Sequence, residues 1–158
     1  RTALALAHHQ RAIVLSGLEG RLNEAIAAMD EAMSIFVDQA EANAASRPMQ
    51  LRLVKAAQRL LGWHQQANDA AGVARCQRRI AEAAGRLAAA NPDDSAAQFQ
   101  HAQQWALVGE AETRAGQAQA ARRAYERALG ILRQLDDADR LGDAQRKLMR
   151  QLEARVSP

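Results

Sequence analysis

Apolar residues recur on a helical period from one end of this chain to the other, and that periodicity limits the fold more than any other feature. Leu22, Ala25, Ile26, Met29, Ala32, Met33 and Phe36 follow the i, i+3, i+4 rule. So do Leu51, Val54, Ala57, Leu60, Leu61 and His64, and again Val73, Cys76, Ile80, Ala83, Ala84 and Leu87. Each set makes one apolar stripe along one helix, and each stripe needs a neighbouring helix to cover it. Residues that favour strands are scarce, whereas alanine, the best helix former, supplies 38 of the 158 positions. Short polar breaks divide the pattern into seven predicted helices, at about 2–18, 22–45, 48–67, 71–90, 93–115, 117–135 and 138–155. Asn91-Pro92-Asp93-Asp94 reads as a helix start, with Asn91 as cap and Pro92 in the first turn. Arg47-Pro48 reads the same way. The last helix is expected to open with Asp136, Asp137 and Asp139 and to close with Lys147, Arg150 and Arg155, matching its dipole.

The stripes also repeat. Pro48 and Gly72 recur 44 residues later as Pro92 and Gly116, and Arg78-Arg79 with Glu82 is echoed by Arg122-Arg123 with Glu126. The apolar positions match better at 45, pairing Cys76 with Ala121 and Ile80 with Tyr125. A lone helical hairpin cannot bury its apolar face, so successive hairpins are expected to stack into a solenoid.

Residues 105–129 resemble a tetratricopeptide repeat. Trp105, Val108, Gly109, Gly116, Ala121, Tyr125 and Ala128 stand where that family places its bulky, branched, small, turn, small, aromatic and small residues. Glu112 departs from the pattern at a position that is usually aromatic, and Arg133 stands where Pro is common. The first hairpin matches less closely, through His9, Ala12, Ile13, Gly20, Ala25, Met29 and Ala32, and the middle one is degenerate, through Leu60, Trp63, His64, Cys76, Ile80 and Ala83. The interval exceeds the roughly 34 residues of the standard repeat, which requires longer helices. The resemblance implies an all-α, right-handed superhelix of about three antiparallel hairpins, at 2–45, 48–90 and 93–135. A capping helix at 138–155 would complete a single domain over 1–158. A fainter likeness, carried by Arg86 to Asp94 with Gly109-Glu110, is to repeats carboxy-terminal to bacterial serine/threonine kinases. It implies a sensory or regulatory segment, and a start at Arg1 reads as a piece of a longer protein.

Little in the chain suggests chemistry. Its one cysteine, Cys76, excludes an internal disulfide or a multi-cysteine metal site, and its place on an apolar stripe suits a buried thiol. His8 and His9 are adjacent, so they point about 100° apart on a helix and cannot chelate one ion as an i, i+4 pair could. His64 and His101 lie on or near apolar faces and read as packed residues. No nucleophile or phosphate-cradle motif occurs, and Asp93-Asp94 and Asp136-Asp137 fit helix starts better than acid/base work. No catalytic residue, cofactor or metal is therefore expected. A net charge of +3 and five aromatic residues do not suggest nucleic acid. Arg75, Arg78, Arg79 and Arg86, with Arg122, Arg123 and Arg127, are expected on solvated helix faces paired with interleaved acids. No run is apolar enough to enter a membrane, and the segment reads as soluble, cytoplasmic in preference to periplasmic.

In the resembling family the first helix of each hairpin lines a concave groove. Carried over by position, that implies a wall made of Gln10, Val14, Gln58, Gln65, Asn68, Gln103, Glu110, Thr113 and Arg114. Its amide-rich surface suits a peptide or partner helix. The Lys and Asn residues with which some relatives grip a terminal carboxylate are replaced at the leading places by Gln10 and Val14.

Overall fold

In the computed structural model, residues 1–156 are described, and among them there are seven α-helices and no strand. These are α1 (Thr2–Ser16), α2 (Leu22–Ala42), α3 (Arg47–Gln66), α4 (Ala70–Ala89), α5 (Ser95–Arg114), α6 (Ala118–Asp137) and α7 (Asp143–Val156). Connections of three to five residues turn each helix back against its predecessor. Every helix packs on the one before it and the one after it, giving an all-α solenoid. The long α2 packs on α1 and α3 of its own chain.

The structural repeat is 48 residues, not the 44 or 45 expected from the sequence. α3 and α5 are each 20 residues long and start 48 apart, as do α4 and α6. The hairpin turns carry the same interval: Gly20, Asn68 and Gly116 have φ of 73°, 55° and 74°. This left-handed geometry lets the N–H of Asp69 reach the carbonyl of His64 at 2.9 Å and that of Gln117 reach the carbonyl of Glu112 at 2.8 Å. Burial keeps the register, since positions 28, 76 and 124, then 29, 77 and 125, 32, 80 and 128, and 33, 81 and 129 are all buried. The two pairs that suggested 44 join unlike places. Pro48 lies inside the first turn of α3, whereas Pro92 sits in the connection before α5. Gly72 lies within α4 and Gly116 in a turn.

Three helix starts differ from expectation. Asp94, not Asn91, caps α5, its carboxylate accepting from the N–H of Ala97 at 3.0 Å. Asn91 closes a turn by accepting from the N–H of Asp94 at 3.1 Å. α3 is preceded by Ser46, whose side chain makes no capping bond. Asp136 and Asp137 end α6 instead of opening α7, which starts at Asp143. Asp136 and Asp139 instead hold Arg146, at 2.7 and 3.1 Å, and so fix α7 to the end of α6.

Small residues set how closely the helices approach. A Cβ added at Gly72 would collide with the ring of His64, one at Gly109 with the ring of Tyr125, and one at Gly85 would meet His101 Nε2 at 2.7 Å. Each ring therefore lies against bare backbone on the facing helix. Two apolar clusters result. One, from α1 to α4, holds Met29, Met33, Phe36, Leu53, Leu60, Cys76 and Ile80, and the other, from α4 to α7, holds Trp105, Val108, Tyr125, Leu129, Leu132, Leu141 and Leu152. Burying each large apolar side chain contributes about 1.5–3 kcal/mol. α7 buries only Leu152 fully and turns its charged residues outward, so it closes the second cluster as a polar cap.

Candidate partner-binding surface

An α-helix that buries one stripe presents the opposite stripe to solvent, and in α1, α3 and α5 that outer stripe keeps the 48-residue register. It runs through positions 10, 14 and 17 on α1 and its end, 58, 62 and 65 on α3, and 110 and 113 on α5, where the equivalent of 10 and 58 is the buried Ala106. Six of the residues expected to form a wall lie on it: Gln10, Val14, Gln58, Gln65, Glu110 and Thr113. Gln103 extends the α5 stripe by one turn. Gln10, Gln58, Gln65 and Gln103 are exposed. Val14 is 62% exposed, an apolar side chain left in water.

Several residues of the expected wall are constrained. Asn68 is not on α3 but in the turn beyond it, where its positive φ fits the residue type that tolerates left-handed backbone. The Thr113 hydroxyl donates to the carbonyl of Gly109 at 2.8 Å and is occupied by its own helix. Glu110 is half-buried, with Arg155 of α7 at 4.0 Å. Arg114 is exposed at the end of α5.

Histidines and the cysteine serve packing. His64 is 3% exposed, with Nδ1 2.9 Å from Asp69 Oδ2 but not aligned for a hydrogen bond. Asp69 caps α4, and the N–H of Gly72 is the main cause holding its carboxyl below the usual aspartate value. His9 packs edge-on to Phe36 with ring centres 6.1 Å apart, and burial first, then Arg59, lowers its pKa. His8 pairs with Glu31 at 2.7 Å. Burial pushes the Cys76 thiol up to about 12, the opposite of a reactive cysteine. Among the described residues no group of three or more His, Cys, Asp or Glu converges on a point that could hold a metal. No helix among them is long and apolar enough to cross a membrane.

No family model and no curated protein matches the chain. Among solved structures it is similar to a de novo designed helical repeat protein, at 18% identity over 98% of this chain and 92% of that one, with a TM-score of 0.40.

Sequence reasoning missed the polar pairs within the fold, the most buried acid among them. Glu112, 3% exposed, accepts from the guanidinium of Arg78 on α4. An acid at a family position that is usually aromatic was the local sign that something unusual stood there. Its partner lies 34 residues away, and helical periodicity does not reach that far. The arginines expected to make i, i+4 pairs do so only in part. Arg122 pairs with Glu126 at 3.0 Å, but Arg79 reaches Asp30 of α2 at 3.6 Å, and Arg127 lies 4.4 Å over the ring of Trp105.

Proposed function

We propose that this chain is a non-catalytic interaction scaffold of the tetratricopeptide type, holding a peptide or partner helix along the outer stripe of α1, α3 and α5. The observation that carries the reading is the register of that stripe. Exposed amides at 10 and 58 are repeat-equivalent on the first two hairpins, and Gln65 follows Gln58 two turns on along α3. A partner laid across the repeats would therefore meet amides on the first two hairpins and Glu110 on the third. Amides donate and accept, so they satisfy a peptide backbone without requiring a particular charge. The family resemblance supports the same face. Among the described residues no metal-binding cluster offers a competing site for chemistry.

The test is capture of partners by the wild-type chain and by a Gln65→Ala, Glu110→Ala double variant from a lysate of the source cell. The variant is expected to keep its melting temperature and lose the partner. Equal capture by both proteins would exclude this face as the binding surface.

A further inference from the structure

A cleft of about 300 Å³ opens where α4, α5 and α6 meet, away from the outer stripe of α1, α3 and α5. Its charged walls are Arg78, Arg123 and Arg127 with the buried Glu112, and Trp105, Val108, Ala120 and Ala124 give it an apolar floor. On α6, Ala120, Arg123, Ala124 and Arg127 fall at i, i+3, i+4 and i+7, so two small residues leave room beside two arginines. The charges do not balance. Arg78 is engaged by Glu112, Arg127 lies over the Trp105 ring, and Arg123 has no acidic partner among the described residues.

The repeat provides an internal control, because the equivalent place one hairpin earlier is already neutral. There Arg75 and Arg79 stand 48 residues before Arg123 and Arg127. Arg75 lies 3.7 Å from Asp69 and Arg79 lies 3.6 Å from Asp30. In the second furrow the position of Asp69 is taken by Gln117 and that of Asp30 by Arg78. One carboxylate has become neutral and the other has become a cation, while both arginines have been kept. The second furrow thus has the cationic half of an arrangement whose anionic half is two carboxylates on separate side chains.

We infer that the cleft between α4 and α6 binds an acidic peptide segment, whose Asp or Glu carboxylates meet Arg123 and Arg127 and whose methylenes rest against Ala120 and the rim of Trp105. The planar guanidinium fork pairs well with carboxylate, and Arg127 is already oriented by the indole. This inference rests on the scaffold reading and adds to it the chemistry of the partner and a second contact face.

The test is a fluorescence-anisotropy titration of a labelled Glu-rich peptide and its Gln counterpart against the wild type, Arg123→Gln and Gln117→Asp. Arg123 is exposed and Gln117 lies outside the helix core, so neither change threatens the fold, and melting curves check this. Gln117→Asp recreates the Asp69 arrangement and should occupy Arg123 from within. The expected result is binding of the Glu peptide but not the Gln peptide, weakened about tenfold by either substitution. Equal binding to all three proteins, or none to the wild type, overturns the inference. So does displacement of the Glu peptide by millimolar inorganic phosphate, which would make the cleft a phosphate site. If the Glu peptide fails while the Gln65→Ala, Glu110→Ala variant still loses a partner, the cleft is refuted and the scaffold reading stands.

Discussion

The indole N–H of Trp105 donates to Nε2 of His101, one turn earlier on α5, at 2.9 Å. That bond requires the imidazole nitrogen to be unprotonated. Burial first, and the charge of Arg127 second, hold His101 below its ordinary value of 6.5. The unfolded chain therefore takes up this proton at a higher pH than the folded one, and the stability that the neutral imidazole contributes is complete above about 6.5 and lost as the pH falls from there toward the folded value. Melting temperatures recorded between about pH 8 and about pH 5 should fall with acidity. A His101→Gln variant should show a shallower fall. An identical slope in the variant would remove His101 as its source.

Trp105 also anchors the second cluster, at 6% exposure with Arg127 across its face. Trp105→Ala removes the ring from a site walled by helices that cannot collapse inward, and the expected loss is ~3–5 kcal/mol. Chemical denaturation measures it directly. A loss below about 1 kcal/mol would mean that the cluster does not depend on the ring.

Two glycines within helices should respond in opposite directions. At Gly109 a methyl group would strike Tyr125, so Gly109→Ala should cost about 1–3 kcal/mol as α5 and α6 are pushed apart. Around Gly130, in the interior of α6, no atom beyond the adjoining residues and backbone of its own helix lies within 4 Å of the added carbon. Gly130→Ala should therefore stabilise the helix by about 1 kcal/mol. Thermal melts of the two variants side by side decide the matter, and a shift in the same direction for both would contradict the close approach of α5 and α6.

The number of helices and their stripes were legible in the sequence because local periodicity specifies them. Cys76 was placed in the interior by its position on an apolar stripe, and it is buried; Trp105 and Tyr125, assigned through the family resemblance, are buried too. The repeat length was legible too, but in the wrong pair of hairpins. His9 with Trp105, Gly20 with Gly116 and Met29 with Tyr125 are each separated by 96 residues, twice the structural interval. Pro48 and Gly72 obscured it, since residue types that mark turns also occur inside helices when the packing asks for them. The middle hairpin was misaligned by three residues as a result: Leu60 and Ile80 match Val108 and Ala128, not Trp105 and Tyr125, Asn68 supplies the turn, and Gln77, not a hydrophobe, faces the next hairpin and donates to Gln104 at 2.8 Å. Of the expected wall, Asn68 lies in the turn beyond α3 and not on the helix. Convergence of Arg78, Arg123 and Arg127 depends on which helices become neighbours, and no local pattern contains that.

Cys76 is 1% exposed and its thiol is pushed up to about 12 by burial. Since the thiolate is the reactive form, the folded protein should be inert toward a disulfide reagent at neutral pH and should release one equivalent of thiol only on unfolding. The rate should follow denaturant concentration through the unfolding transition. Prompt labelling of the native protein would contradict the burial of Cys76 in the apolar cluster of α1 to α4.

Gln117→Asp should stabilise the chain at neutral pH, and the reason lies one repeat earlier. Asp69 and Gln117 hold the same place, the residue before α4 and α6, with φ and ψ of −88° and 86° in one and −96° and 66° in the other. Asp69 accepts from the N–H of Gly72 at 2.8 Å, whereas Gln117 makes no capping bond with its side chain. An aspartate at 117 can take up the same role with little backbone adjustment, and a good N-cap contributes about 1 kcal/mol. The N–H bond that chiefly holds Asp69 below 3.8 should act on the new carboxyl as well. A lowered folded pKa gives stability that is present above about 3.8 and disappears as the pH falls through the folded value. The melting temperature of Gln117→Asp should accordingly exceed that of the wild type at neutral pH and converge on it in acid. A gain that persists undiminished in acid would have to come from something other than an ionised cap, and no gain at neutral pH would show that the two turns are not equivalent.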